Sequence, residues 1–412
     1  MRKLIAPLVL SAAAALVLSA CGGSTTSETG SSAAPAASSA AAAGESAAAA
    51  SGEPIVIGVV LPQTGPVALN VEQMLNVIKM RVDEANAAGG VAGRPIEIKT
   101  YDSKAEPETA AKEAQRAISQ DGAAAIIGPY TTSEALAVAE VAERAKVVAM
   151  GSSAATPAIT EGKQFNFRVA PLSPDLATGM MQMAKSLGAT SGALLYDSGG
   201  FGLGALPLIE EAAKVEGVEL TAVEYPINAS DVTAQVGKAK SANPGAVFVA
   251  GSAGADYGLI AKSMAEQGLN VPLIGFSPIT VPDAVKIAGS AYDTLPGVYT
   301  LQTIDPTKPQ YQELVADYSA AYGDTPQLSE QVTQTDDVLS FILEGLAATN
   351  GEGGEALAQA LRALPAREGA AGAAGSNQQF TADSNDAFKG QYLVPFKVID
   401  GVATADSSVS LS

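Results

Sequence analysis

The chain has 412 residues, 43 of them acidic and 24 basic, for a formal net charge of −19. So acidic a body is a poor partner for nucleic acid, and its charge suits solubility or a salty habitat. No histidine and one cysteine, Cys21, occur in the chain. Ser-His-Asp and Cys-His catalysis and His-ligated zinc or copper are thereby excluded, and no intramolecular disulfide can form. Paired carboxylates, a Ser-Lys pair or a carboxylate-bound metal remain as enzymatic routes, and no cofactor is expected.

Residues 1–20 read as a secretory signal. Arg2 and Lys3 give a basic start, and the apolar run from Leu4 to Ala20 covers 17 residues, marginal for crossing ~30 Å of hydrocarbon. The box "LSAC" closes it at Cys21 and resembles the cleavage site of bacterial lipoproteins, in which the cysteine becomes the lipidated first residue. Residues 21–52 are then the lipidated cysteine and a tether. Beyond Cys21 this stretch carries no large apolar side chain, so it lacks the surface to order itself. As a Gly/Ser-like coil it would reach about 30 Å. The expected location is outside the cytoplasm, held to the membrane by lipid alone.

From residue 53 onward, β-rich runs alternate with helix-period segments. "IVIGVVLP" is a buried-strand pattern, and the next helix puts Val71, Met74, Ile78, Val82 and Ala85 on one stripe. "PIEIKTY", "AAAIIG" and "KVVAMG" are strands, separated by helices over "PETAAKEAQRAISQDG" and "SEALAVAEVAERA". The order then repeats, with strands at "GALLY", "VELTAVEYP", "GAVFVAG" and "PLIGF". Gly128 and Gly251 punctuate the same point of the two halves. Such alternation implies right-handed βαβ units, parallel sheets and two similar α/β lobes. Late helices are expected at "KPQYQELVADYSAAYG", "VLSFILEGLAAT" and "EALAQALRAL", and a terminal hairpin within "QQFTADSNDAFKGQYLVPFKVIDG".

The stretch "AIIGPYTTSEAL" carries the chemistry. An apolar strand stops at Gly128-Pro129, hydroxyls follow, and a helix begins. "TTSE" fits the capping box, with Thr131 as cap and Glu134 three residues on. Ligands in open parallel sheets sit beyond the strands' carboxyl ends. A helix start there, with Thr132 and Ser133 on its first turn, suits a carboxylate or carbonyl oxygen.

The body resembles the branched-chain amino acid receptors, periplasmic binding proteins of the Leu/Ile/Val type that serve ABC importers. The carriers are "IGVVLPQTGPVA", "VDEANAAGGVAGRPIEI", "IIGPYTTSEALAVAEVA", "NFRVAPLSPD", "GFSPITVPDAV" and "FTADSNDAFKGQYLV", in that order. The resemblance implies two Rossmann-like lobes joined by a three-stranded hinge, with the ligand in the cleft between them. Lobe 1 would be 53–172 plus 302–378, and lobe 2 would be 173–301 plus 379–412. Crossovers would fall near Arg168–Ser173, Leu301–Thr303 and Ser376–Phe380. It also implies ligand contacts at the Thr132 hydroxyl, the Tyr130 backbone and the "GSSAATPAIT" loop. In that loop Ser153 and Ala155 hold the contact positions, Ala155 replaces a family threonine, and Thr156 adjoins it. Phe201 and Asn70 stand where the family has cleft tyrosines, and Ser277 where amino-acid receptors carry the acid that pairs the ligand ammonium.

These features point to a monomeric solute-capturing lipoprotein that closes by a hinge and feeds an ABC importer permease. A carboxylate-dependent hydrolase is the competing class. Its nearest acids, Asp197 and Asp256, read more cheaply as helix-capping or turn residues. A ligand-sensing receptor without a permease shares the binding chemistry. With serine at position 277, an ordinary branched-chain amino acid is not expected as ligand, because a buried ammonium without an ionic partner is costly. A small carboxylate or neutral amide fits better, unless Asp256 swings in to pair an amine.

Overall fold

Two parallel sheets with the same strand order organise the chain. The structure, a computed structural model, describes residues 50–64, 68–226, 229–326 and 329–411. Residues 1–49, which hold the expected signal, Cys21 and most of the expected tether, lie outside them, and so does the side chain of Asn70.

The first sheet is built from β1 (Ile55–Leu61), β2 (Ile96–Asp102), β3 (Ala125–Ile127), β4 (Val148–Gly151) and β5 (Asn166–Arg168). They lie in the order β2-β1-β3-β4-β5, all parallel. Helices α1 (Ala68–Ala87), α2 (Pro107–Ser119) and α3 (Thr132–Ala145) connect them. On α1 the expected stripe of Val71, Met74, Ile78 and Val82 is buried in the core, while Ala85 is only half-buried.

After α4 (Ser173–Ser186) the second sheet uses β6 (Ser191–Asp197), β7 (Glu219–Tyr225), β8 (Ala246–Ala250), β9 (Leu273–Gly275) and β10 (Val298–Gln302). Its parallel part runs β7-β6-β8-β9-β10, the same order as the first sheet. Every residue of β8 is buried, as expected of strands covered on both faces by helices. The connecting helices are α5 (Gly200–Glu216), α6 (Thr233–Ser241), α7 (Gly254–Glu266), α8 (Pro282–Ala288) and α9 (Ala291–Thr294). In both sheets the order reverses between the first and third strands, and the carboxyl end at that reversal is where ligands bind.

The chain then returns to the first sheet. Helices α10 (Pro309–Tyr322), α11 (Ser329–Ala348) and α12 (Gly354–Ala363) follow β10. Helix α11 packs on α1, α12, β3 and β4, burying Val338, Leu339, Phe341, Ile342 and Leu346, each worth about 1.5–3 kcal/mol for a fully buried apolar side chain. This helix begins nine residues before the apolar stretch "VLSFIL" that announces it, because its first turns are buried through polar pairing.

The expected terminal hairpin is displaced. Two short strands, β11 (Asn377–Gln378) and β12 (Phe388–Lys389), pair with each other. The Asp386 segment between them bridges to Arg168 at the edge of the first sheet. The hairpin itself is β13 (Val394–Ile399) with β14 (Val402–Ala405), and β13 adds antiparallel to β10. The third crossover therefore lies at residues 390–393 rather than Ser376–Phe380. Aromatic residues of "FTADSNDAF" explain the shift: Phe380 packs edge-on against Phe167, with ring centroids 5.0 Å apart, and so stays with the first sheet. Tyr392, inside this crossover, accepts the Leu172 N–H at 3.0 Å and donates to Asp175 Oδ2 at 2.6 Å. It ties the third connection to the first.

Candidate functional site

At the end of β3 the backbone turns through Gly128, whose φ of +102° lies in the region that favours glycine. A Cβ there would sit 2.3 Å from the Val60 carbonyl oxygen. The capping box then forms as the sequence implies. The Glu134 N–H donates to Thr131 Oγ1 at 3.4 Å, and the Thr131 N–H donates to Glu134 Oε2 at 3.0 Å. The Thr131 hydroxyl also donates to Glu134 Oε2 at 2.6 Å, and Ser103 donates to Oε1. Thr131 is thus engaged in building the helix start, while Thr132 and Ser133 stand exposed on its first turn.

Between the lobes lies a cavity of about 280 Å³. Ser153 and Ala155 border it from the loop after β4, Leu176 and Met180 from α4, Phe201 from the start of α5, and Phe276 and Ser277 from the loop after β9. A second cavity of about 470 Å³ shares Ser277, Glu330 and Gln331 with it and is bordered by Tyr130. A larger depression of about 670 Å³, around Lys262, Gly268 and Thr294, lies by the segments leading into the amino ends of β9 and β10 and holds none of the expected residues.

Four expected residues therefore meet at the first cavity: Ser153, Ala155, Phe201 and Ser277. The Ser153 hydroxyl is buried and has no hydrogen-bond partner among the described residues, an arrangement that leaves it available to a ligand oxygen. Phe201 is 44 % exposed and stacks edge-on against Phe276 at 5.2 Å between centroids, so an apolar wall faces the cleft. Tyr130 borders the neighbouring cavity. Thr131, Thr132 and Thr156 line neither. Thr156 contributes its carbonyl oxygen to the Arg168 guanidinium instead.

Asp197 and Asp256 act as caps. Asp197 accepts N–H donors from Gly199 at 2.8 Å, Gly202 at 3.2 Å and Ser252 at 2.6 Å. Asp256 accepts the Ala253 N–H at 3.3 Å, and burial raises its carboxyl above the usual range. Neither borders the cavities.

Sequence reasoning missed three residues, Glu330, Gln331 and Gln334, which line the first cavity from α11. Glu330 Oε1 accepts the Thr303 N–H at 2.9 Å and the Thr303 hydroxyl at 3.0 Å. Gln334 donates to the same hydroxyl at 2.6 Å. The acid thereby reaches the cleft from the first turn of α11, which packs on the first sheet, whereas the expectation looked for it at Ser277 in the second lobe. The premise that no acid faces the cleft does not hold. A signal existed: Glu330, Gln334, Asp337 and Phe341 fall at helical spacing, a polar stripe continuing an apolar one.

Among the described residues no cluster of acids or Cys is placed to hold a metal ion. The sequence matches the periplasmic binding protein family over residues 54–394. A Leu/Ile/Val-binding protein homolog from Brucella suis is 29 % identical over 333 residues, 76 % of this chain and 82 % of that protein. Among solved structures, a leucine-binding protein from Thermotoga maritima superposes with a TM-score of 0.73 at 23 % identity, over 86 % of this chain and 98 % of that one. An ABC-transporter solute-binding protein from Rhodopseudomonas palustris, in complex with 3,4-dihydroxybenzoic acid, gives a TM-score of 0.70 at 26 % identity, over 87 % and 98 %. These relatives are binding proteins, and the superpositions cover most of both chains. The chain belongs to the periplasmic binding protein family, as an extracytoplasmic binding protein and not an enzyme.

Proposed function

We propose that this protein captures a small, amino-acid-like solute bearing a carboxylate or amide, closes its lobes around it and delivers it to an ABC importer permease. The carrying observation is the inter-lobe cavity, apolar at Phe201, Phe276, Leu176 and Met180, with the unpartnered Ser153 hydroxyl on its border. A few placed polar groups in an apolar cleft are the usual make-up of a small-ligand site. The Rhodopseudomonas relative, which holds a carboxylic acid, supports an oxygen-binding side. In this reading closure brings the first turn of α3, with the Tyr130 backbone and the Thr132 hydroxyl, onto the ligand oxygen. A thermal-shift panel of amino acids, carboxylic acids and amides tests it, since a ligand that binds only the native state raises the melting point. No stabilisation by any member would overturn it.

The two threonines of the helix start separate binding from stability. Thr132→Val is expected to weaken ligand binding by about 1–3 kcal/mol through loss of one donor. Thr131→Val is expected to cost about 1 kcal/mol of stability through loss of the cap, with affinity little changed. Calorimetry and urea melts on both variants check this, and unchanged affinity in Thr132→Val removes that hydroxyl from the site.

Anchoring is proposed through Cys21, supported by the "LSAC" box and the tether composition. One acyl chain holds a protein only marginally and two or more hold it firmly. Cys21→Ser should therefore abolish incorporation of labelled fatty acid and leave ligand affinity unaltered. Wild-type labelling of the variant would refute the assignment.

A further inference from the structure

Among the described residues lining the two cleft cavities, Glu330 is the only charged one, and no described lysine or arginine is there to balance it. Its position is fixed by two hydrogen bonds from Thr303, both on Oε1, so Oε2 lies outside that clamp. A purely anionic ligand entering this cleft meets a carboxylate without a compensating cation. Like charges facing each other in a desolvated site are costly, and an unpaired buried charge is costlier still. A ligand that carries an ammonium as well as a carboxylate removes both penalties. Its oxygens can take the Ser153 side and its nitrogen the acid.

We propose that Glu330 is the specificity-determining residue that pairs a ligand ammonium, so that the cleft takes amino acids or other amine-bearing acids and discriminates against purely anionic ones. The proposal rests on the solute-binding reading above and narrows it to a class. It also accounts for serine at position 277, because the ammonium partner comes from the opposite lobe. Burial holds the Glu330 carboxyl above the usual range, against the two Thr303 bonds that lower it, and an ammonium would restore its charged form. A purely structural role is the rival account, in which Glu330 does no more than staple the second crossover to α11.

The test compares L-leucine, the other proteinogenic amino acids, their deaminated acids (isocaproate for leucine) and 3,4-dihydroxybenzoate. Affinities are measured calorimetrically on the wild type, Glu330→Gln and Thr303→Val. Glutamine keeps an acceptor for Thr303 but removes the charge, whereas valine keeps the charge and removes one clamp bond. The wild type is expected to prefer an amino acid over its deaminated acid by about 30-fold or more. Glu330→Gln should abolish that preference, and Thr303→Val should retain it. Equal loss of affinity for both ligands in Glu330→Gln would leave only the structural staple and overturn the proposal. So would a wild type that binds isocaproate or 3,4-dihydroxybenzoate at least as tightly as any amino acid, although the solute-binding reading would then stand. A wild type that binds nothing in the panel overturns both.

Discussion

Arg168→Met is expected to destabilise the folded protein by about 3–5 kcal/mol, the usual result of removing one partner of a buried ion pair. The Arg168 side chain is 1 % exposed. Its Nε donates to Asp386 Oδ1 at 2.9 Å and its Nη2 to the same oxygen at 2.6 Å. Nη1 donates to the carbonyl oxygens of Ala154, at 3.3 Å, and Thr156. Methionine keeps much of the stem's volume but supplies none of these donors. Asp386, 20 % exposed at its side chain, recovers part of its hydration, which places the cost nearer the lower end. Backbone pairing across this edge, from the Arg168 N–H to Asn385 O at 3.0 Å and from the Ala387 N–H to Arg168 O at 2.9 Å, remains. The two carbonyls that lose a donor belong to the loop carrying Ser153 and Ala155, so ligand affinity should fall as well. Urea denaturation measures the first effect and calorimetry the second. A loss below about 1 kcal/mol would mean that water replaces the guanidinium at this site.

The regular part of the architecture was legible because it rests on apolar periodicity. β8 is an unbroken apolar run and proves buried throughout. Val71, Met74 and Ile78 recur at helical spacing and face the core. "TTSE" encodes its own hydrogen bonds, and the capping box forms. Where burial is achieved by polar pairing, the pattern is silent. Thr333, Gln334, Thr335 and Asp337 in the first turns of α11 are all buried, yet they read as a polar approach to a helix. Ser152 pairs there with Thr335 at 3.1 Å, over a sequence separation that no local pattern reveals. The same gap hid Glu330. Ser153, Phe201 and Ser277 could be placed at the cleft because the family resemblance carried them, whereas the acid on α11 has no counterpart among the motifs that carried it.

Asp337→Asn is expected to cost about 2–4 kcal/mol near pH 4, and the cost should shrink as pH rises. Three donors converge on this carboxyl: the Ala370 N–H at 2.7 Å on Oδ1, and the Ala371 N–H at 2.9 Å and Gln378 Nε2 at 2.6 Å on Oδ2. The protonated acid still has an oxygen facing each set of donors, whereas the amide puts an NH2 that can only donate in one of those places, so at least one buried N–H is left facing another, at about 1–3 kcal/mol per unsatisfied group. Burial, followed by the charge of neighbouring Asp336, pushes the Asp337 carboxyl up to about 6, while the three bonds pull the other way. Asp336 is itself paired with Arg81 Nε at 2.7 Å, and buried Lys308 donates to the Ala371 carbonyl beside them at 2.9 Å. A carboxyl whose pKa is raised by folding holds its proton in the native state after the unfolded chain has lost it. Between about pH 4 and 6 the native state thus binds more protons, and wild-type stability falls with rising pH through that window. Asparagine does not titrate. The advantage of the wild type over Asp337→Asn should accordingly diminish by up to about 3 kcal/mol between pH 4 and pH 7, at 1.36 kcal/mol per pKa unit. Paired urea melts across that range supply the comparison. An advantage that grows with pH would mean that the three donors outweigh burial and hold Asp337 ionised.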